Sequence, residues 1–248
     1  MNELRSEKDY SIIIPAYNEE KLLPATLDSV RKAMDAASTF SGEGIVVDNH
    51  STDQTATIAR EKGFSVVWEP IQQISRSRNR GAAVATGKIL IFLDADTHLS
   101  PELLLATLEG MARGQYYGGG TSITFDAPLP WLARNLTRLW NAVSQWQKWS
   151  AGCYLFTLRE AFAATGGFRQ EVYCAEEILL SQALKKWGKK HRKKYLFLRD
   201  FPIRTSARKV QEFSTSRLLC LLLMVTFCPL LITQKWFCRK IWYTRKES

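Results

Sequence analysis

A chain of 248 residues, 46% of them hydrophobic, has material for one large domain or a medium domain with an appendage, which excludes a disordered, collagen-like or knottin-like protein. The net charge of +10 is unevenly held: residues 185–248 carry 17 basic and 3 acidic side chains, a balance of +14, against −4 for residues 1–184. That excess points to an acidic partner for the C-terminal part, whether nucleic acid, a phosphate-bearing substrate or an anionic membrane surface.

The first apolar run, Ser11 to Ile14, is short and β-branched and reads as a strand. Leu22, Leu23, Leu27, Val30 and Met34 follow at helical spacing, and GIVVD at 44–48 reads as a second strand, completing a βαβ opening. The alternation continues with a helix over 53–62, a strand near 64–68, a helix over 76–85 and the strand KILIFLD at 88–94. Nearly continuous apolar strands between helices predict a mostly parallel, Rossmann-like sheet flanked by helices on both faces.

A helix from Pro101 to about Arg113 leads to Gly118-Gly119-Gly120, expected to be a turn, and then to the strand-like TSITF at 121–125. Here the regular rhythm ends. Between Pro130 and Trp149 the residues Trp131, Leu132, Leu136, Leu139, Trp140, Val143 and Trp146 recur at helical spacing. Core packing is the first expectation for them, and an acceptor or membrane-interface surface the second. A strand at 153–158, a short helix over 160–165 and a helix from about Glu176 to Trp187 close the globular part. KKWGKKHRKK at 185–194 reads as a helix end and solvated loop, or as a face toward anionic lipid.

The remaining segment, 210–248, differs in kind. Leu218 to Ile232 is uncharged but interrupted by Pro229, and falls short of the roughly 20 apolar residues of a spanning helix. Trp236, Phe237, Trp242 and Tyr243, mixed with Lys235, Arg239, Lys240, Arg245 and Lys246, resemble an interfacial belt beside anionic headgroups. The charged start, MNELRSEKDY, gives no secretory signature, so the chain is expected at the cytosolic face of a membrane. For the same reason the Asn135-Leu136-Thr137 sequon is discounted. The five cysteines form no CxxC pair and share no metal-ligand spacing with His50, His98 or His191, which favours structural thiols.

Three strands end in polar groups: Ala16-Tyr17-Asn18-Glu19, Asp48-Asn49-His50 and Asp94-Ala95-Asp96. Ligands of open α/β sheets bind outside the carboxyl ends of the strands, so these distant groups are expected along one edge. Asp53 and Ser51, by contrast, suit the capping of the next helix. Asp94 and Asp96 offer hard oxygen ligands suited to Mg²⁺ or Mn²⁺ shared with substrate phosphates. No GxGxxG follows any strand, and no Walker A sequence is present.

SIIIPAYNEE, VVDNHSTDQT, SRSRNRGAAVATGKILIFLDADT and GGFRQEVYCAEEILLSQALKKWGKK, in that order from residue 11 to about 190, resemble the pattern of a family 2 glycosyltransferase with the GT-A fold. The resemblance implies inverting transfer of a sugar from a nucleotide diphosphate sugar to a hydroxyl-bearing acceptor, lipid-linked acceptors included, with no nucleic acid involved. It implies a glycosyltransferase domain over 1–209, divided into a nucleotide-sugar half (1–125) and an acceptor and catalytic half (126–209). Tyr17, Glu19 and Asp48 would lie near the base and ribose, with Pro15 and Asn18 also counted among the substrate-binding residues, Arg78 and Asp94 would lie along the donor, and Asp96 would bind the metal. The acidic pair that opens the late helix, Glu176 and Glu177, would supply the base, with Glu177 at the position where the family usually has Asp. Arg208, in TSARK at 205–209, would reach the diphosphate or the acceptor. The chain departs from the family at Asn49 and His50, where Asp and Gly are common. Two other classes are separable by experiment: a nucleotidyltransferase would release pyrophosphate from a nucleoside triphosphate, and a nucleic-acid binder would show salt-dependent binding to DNA or RNA.

Overall fold

The structure is a computed structural model that describes residues 7–173 and 175–208. The expectations placed on the segment 210–248, on Cys174 and on the three cysteines beyond it lie outside the described residues. Among the described residues, no helix is long and apolar enough to cross a membrane.

In chain order the elements are β1 (Lys8–Ala16), α1 (Leu23–Ala36), β2 (Gly42–Asp48), α2 (Thr55–Glu61), β3 (Ser65–Trp68), α3 (Ile74–Val84), β4 (Gly87–Leu93) and β5 (Thr97–His98). There follow α4 (Pro101–Ala112), β6 (Tyr116–Phe125), α5 (Trp131–Gln147), β7 (Tyr154–Leu158), α6 (Arg159–Ala164), α7 (Glu176–Lys190) and β8 (Lys194–Thr205). They build an eight-stranded sheet in the order β3-β2-β1-β4-β7-β6-β8-β5. Strands β3, β2, β1 and β4 run parallel, as the βα rhythm predicts, whereas β7 is antiparallel to both β4 and β6.

Alternation along the central strands sends successive side chains to opposite faces. Ile12, Ile14, Val46, Ile91 and Leu93 pack with Leu23, Leu27 and Val30 of α1 and Leu103, Leu104 and Leu108 of α4. Ile13, Ile45, Val47, Leu90 and Phe92 pack on the other face with Phe162, Phe168, Leu180 and Leu184. Each such side chain contributes about 1.5–3 kcal/mol relative to exposure, so both faces must be covered for the sheet to hold.

Two expectations are corrected. Gly118, Gly119 and Gly120 are not a turn but part of β6, paired with Thr157, Phe156 and Leu155 of β7 on one side and with β8 on the other. The reason for glycine is close approach: a Cβ at Gly119 would stand 1.9 Å from the Leu196 carbonyl oxygen and 2.5 Å from the Phe156 ring. Gly119→Ala is accordingly expected to cost about 1–3 kcal/mol, read as a lower urea midpoint. The helix end and loop expected over 185–194 are present, α7 ending at Lys190, but the globular part does not close there: Lys194–Thr205 forms β8, parallel to β6.

The third correction concerns α5. Its apolar residues are not buried core: Trp131 is 68% exposed, Leu139 58% and Trp146 78%, whereas Leu132, Leu136, Trp140 and Val143 are half-buried. Only Ala133 and Ser144 of this helix are buried. The helix is seated instead by Asn141, whose amide both accepts from the Ile123 N–H (3.0 Å) and donates to the Ile123 carbonyl (3.1 Å).

Candidate active site

The strand ends that the sequence singles out lie side by side. Ala16 pairs with Asp48, and Asp48 with Trp68, at the last rungs of the β1–β2 and β2–β3 ladders; Ile13 pairs with Phe92 two residues before Asp94. The loops beyond are then laced together. Asn18, in the left-handed region at φ 51°, accepts from the Thr52 N–H (2.8 Å) while its own N–H donates to Ser51 Oγ (3.0 Å). The Ser51 N–H donates to Asp48 Oδ1 (3.0 Å), and the Glu19 N–H to Thr55 Oγ1 (2.8 Å). Asp53 accepts from the Thr55 N–H in the first turn of α2 and from the Glu20 N–H and so ties the two loops together, but it is not the cap expected: the N-cap of α2 is Gln54, with no side-chain cap bond, and Ser51 Oγ is spent on Asn18. Pro15 is buried within β1, opposite Val47.

Asn49 accounts for one departure from the family pattern. Its amide donates to the carbonyls of Glu69 (3.3 Å) and Ile71 (2.6 Å), and its oxygen accepts from the Gln73 N–H (3.0 Å). An aspartate has no donor for those carbonyls. His50, at φ 66°, is exposed, with Nδ1 3.1 Å from the Pro70 carbonyl and its ring 6.1 Å from that of Trp68.

The centre of the arrangement is Arg78 on α3. It is 2% exposed, and its guanidinium donates through Nη1 to Glu176 Oε1 (2.8 Å) and through Nη2 to Asp94 Oδ1 (2.9 Å) and the Gly152 carbonyl (2.8 Å). Its plane stands over the Phe168 ring at 5.2 Å. Burial works against the Arg78 charge, but the carboxylates of Asp94, Glu176 and Glu177 outweigh it and hold its pKa above the ordinary value. Arg78 thus ties the end of β4 to the start of α7, and its hydrogen bonds go to protein groups.

The two glutamates at the head of α7 differ in environment. Glu176 is buried and spends a carboxylate oxygen on Arg78. Glu177 is half-buried, with its carboxyl facing Gly152: a Cβ there would lie 3.6 Å from Glu177 Cδ and 3.5 Å from Arg78 Nη2. Burial and the neighbouring Glu176 charge push Glu177 up to about 8, Arg78 opposing only in part. The preceding residue, Ala175, sits in the left-handed region at φ 57°.

Asp94 and Asp96 flank a tight turn closed by the Thr97 N–H on the Asp94 carbonyl (3.2 Å), with Thr26 Oγ1 donating to the Ala95 carbonyl (2.8 Å). The Ser206 N–H donates to the Asp96 carbonyl (3.1 Å), which brings the segment after β8 onto this turn. Arg208 consequently bonds Glu19 through both terminal nitrogens (3.3 and 3.0 Å) and stands 3.6 Å from Asp96 Oδ2. As donors, Asp94 and Asp96 are hard oxygens and fit a divalent cation such as Mg²⁺ or Mn²⁺. Among the described residues no three ligating side chains converge, so such an ion would take the rest of its shell from substrate oxygens and water. Cys153, buried next to this turn, is a free thiol that burial, with Asp94 and Asp96, holds well above its ordinary pKa, so it is unreactive packing.

The structure therefore gathers Tyr17, Asn18, Glu19, Asp48, Asp94, Asp96 and Arg208 around one sheet edge, with Arg78, Glu176 and Glu177 beneath and beside it. Sequence reasoning missed Gly152, which gives Glu177 and Arg78 their space, and the latch residues Gln73, the N-cap of α3, and Asn79 within that helix. Gln73 Nε2 donates to the carbonyls of Gln170 (2.7 Å) and Val172 (3.1 Å), and Asn79 pairs with both the N–H and the carbonyl of Phe168. Their only signal in the sequence is an amide beside the arginine-rich run of α3.

Residues 11–168 match the profile of glycosyl transferase family 2, which takes in Arg78, Asp94 and Asp96 and stops short of the glutamate pair and Arg208. A 4,4'-diaponeurosporenoate glycosyltransferase of Staphylococcus haemolyticus is 40% identical over 116 residues, 44% of this chain and 30% of that protein. A mouse dolichyl-phosphate beta-glucosyltransferase is 34% identical over 101 residues, 36% of this chain and 31% of that one. The match thus spans less than a third of either relative. Among solved structures, the mannosyltransferase of Pyrobaculum calidifontis in complex with GDP-Man and Mn²⁺ superposes over 98% of this chain and 67% of that one, at a TM-score of 0.67 and 18% identity. The fold is the GT-A fold, a mixed α/β sheet flanked by helices, and by the extent of the profile match the chain belongs to glycosyl transferase family 2.

Proposed function

We propose that the protein transfers a sugar from a nucleotide diphosphate sugar to an acceptor hydroxyl with inversion at the anomeric carbon. The observation that carries this reading is the guanidinium of Arg78, which joins the carboxylate end of β4 to the acidic head of α7 and so sets a donor-side and an acceptor-side carboxyl at a fixed separation. Tyr17, Asn18, Glu19 and Asp48 form the base and ribose side, at the end of the parallel strands where such sheets take nucleotides. Pro15 shapes the end of β1, Asp94 borders the sugar, and Arg208 supplies positive charge beside Asp96 for the departing diphosphate. Arg78 acts as a positioning residue.

In the step itself the acceptor hydroxyl gives its proton to the Glu177 carboxylate while its oxygen forms a bond to the anomeric carbon. The bond from that carbon to the diphosphate oxygen breaks on the opposite face, and the nucleoside diphosphate leaves with the electron pair. Burial, with the charge of Glu176 that Arg78 holds beside it, keeps the Glu177 pKa high. A divalent cation held by Asp96 would neutralise charge on the diphosphate.

The acceptor in this reading is lipid-linked and met at the cytosolic face of an anionic membrane. The dolichyl-phosphate specificity in the name of one relative and the +14 balance of residues 185–248 support it. The test is calorimetric titration of the full chain with nucleoside diphosphates and their sugars, with Mn²⁺ and with chelator. One nucleoside diphosphate is expected to bind with metal and to be lost with chelator, and Asp96→Ala is expected to erase the difference between the two arms. Absence of binding by folded protein in every arm would sink the reading.

A further inference from the structure

Helix α5 presents a stripe with no partner among the described residues. At 100° per residue, Trp131, Asn135, Leu139, Ala142 and Trp146 fall within an arc of about 80°, all of them exposed, with Asn135 the one polar residue among them. Arg134 and Arg138 border that arc and are exposed too. The helix is fixed from its other side by Asn141 on β6, so the stripe is a rigid feature of the fold. Three large apolar side chains at this exposure on one amphipathic helix call for a covering.

Beyond the C-terminal end of α5, off the edge of the stripe, lies a groove of about 410 Å³ lined by Gln147, Trp149, Gln182, Lys185, Lys186 and Lys189. No acidic residue occurs from Ala127 through Arg159, nor from Ile178 through Arg199. The covering therefore has to be apolar inside and anionic at its surface. A second copy of this face would set lysine against lysine. The chain's own segment 209–248, with seven basic and two acidic residues, would do the same.

We propose that α5, together with the lysine-lined groove at its end, is the surface on which the protein lies on an anionic lipid bilayer, Trp131, Leu139 and Trp146 entering the headgroup boundary and Lys185, Lys186 and Lys189 facing the phosphates. An interfacial helix of this composition gains from both terms, apolar burial and attraction to anionic lipid. The proposal rests on the membrane part of the reading above and says which face carries it. It also puts that surface near the chemistry. From Gln147 the chain passes through Lys148, in the left-handed region at φ 60°, to Gly152, whose carbonyl holds Arg78. Five residues span at most about 18 Å, so the C-terminal end of α5 lies within that distance of Gly152, which Glu177 faces.

The test uses the full chain with vesicles of phosphatidylcholine alone and of phosphatidylcholine with phosphatidylglycerol, read by co-sedimentation and by hydrogen exchange over residues 131–147. Exchange in α5 is expected to slow on the mixed vesicles, and high salt to weaken binding. Trp131→Ser, Leu139→Ser and Trp146→Ser together are expected to lower partitioning about tenfold or more, and Lys185→Glu, Lys186→Glu and Lys189→Glu together to abolish the preference for phosphatidylglycerol. Should the first triple variant not fold, Trp146→Ser alone, at the most exposed site, is expected to lower partitioning several-fold. Unchanged partitioning in the folded variants, or unchanged exchange in α5, overturns the proposal and moves membrane contact elsewhere in the chain. Protection of α5 that grows with protein concentration without vesicles overturns it in favour of self-association, and protection already complete in dilute protein in favour of the chain's own C-terminal segment. Nucleotide titration of the same variants keeps the two readings apart: the surface fails with donor binding intact, whereas the transferase reading fails with vesicle binding intact.

Discussion

Replacing Arg78 by alanine is expected to cost about 3–5 kcal/mol of folding stability, the effect of leaving buried carboxylates without their counter-charge. The side chain is buried in contact with Asp94, Glu176, the Gly152 carbonyl and the Phe168 ring. Its removal strands the buried Glu176 and leaves a void against Phe168. With a total stability of about 5–15 kcal/mol for an ordinary domain, such a loss puts the variant near its unfolding threshold. Arg78→Lys keeps the charge and forfeits the fork that reaches two carboxylates at once, so an intermediate loss is expected. Urea titrations of both variants measure this. A loss below about 1 kcal/mol for the alanine variant would show that the two ends of the site are not coupled through this residue.

Glu177→Gln is expected to lower kcat by about 10²–10⁴ while nucleotide binding stays within a few-fold of the native protein. The carboxyl pKa, about 8, adds a pH signature. A base works deprotonated, so kcat/KM of the native enzyme should climb as pH rises through about 8 and level off above it, and the residual rate of the variant should lack that limb. Stability moves oppositely. The unfolded chain ionises Glu177 near 4.5 and the folded chain near 8, so native stability falls as pH rises through that window. The glutamine variant is expected to gain in Tm over the native protein across the same window and to converge with it below pH 4.5. Unchanged kcat would move the base to Glu176 or elsewhere.

The strand ends were legible because apolar runs that stop abruptly at Asn18, Asp48 and Asp94 need no tertiary information to be read. The helix at 176 was legible from its periodicity, but the division between Glu176 and Glu177 was not: it depends on which carboxyl Arg78 meets, 98 positions earlier in the chain. The glycine run misled because glycine serves both turns and close strand approach, and only the neighbouring Leu196 carbonyl decides between them. Strand β8 escaped because KYLFLRDFPIRT breaks alternation with charge and proline, and its partner β6 lies far away in sequence. For α5 the spacing disclosed an amphipathic helix, yet periodicity says nothing of what covers the apolar side.

The grip of α3 on the loop at 168–172 has a consequence for divergence. Gln73 holds the carbonyls of Gln170 and Val172, and Asn79 holds the main chain of Phe168 at both its N–H and its carbonyl. These four contacts read the backbone and are blind to side chains. The loop that leads to the glutamate pair can therefore exchange its exposed residues without losing its seat, so sequence change there need not disturb α3 or the strand ends that α3 packs against.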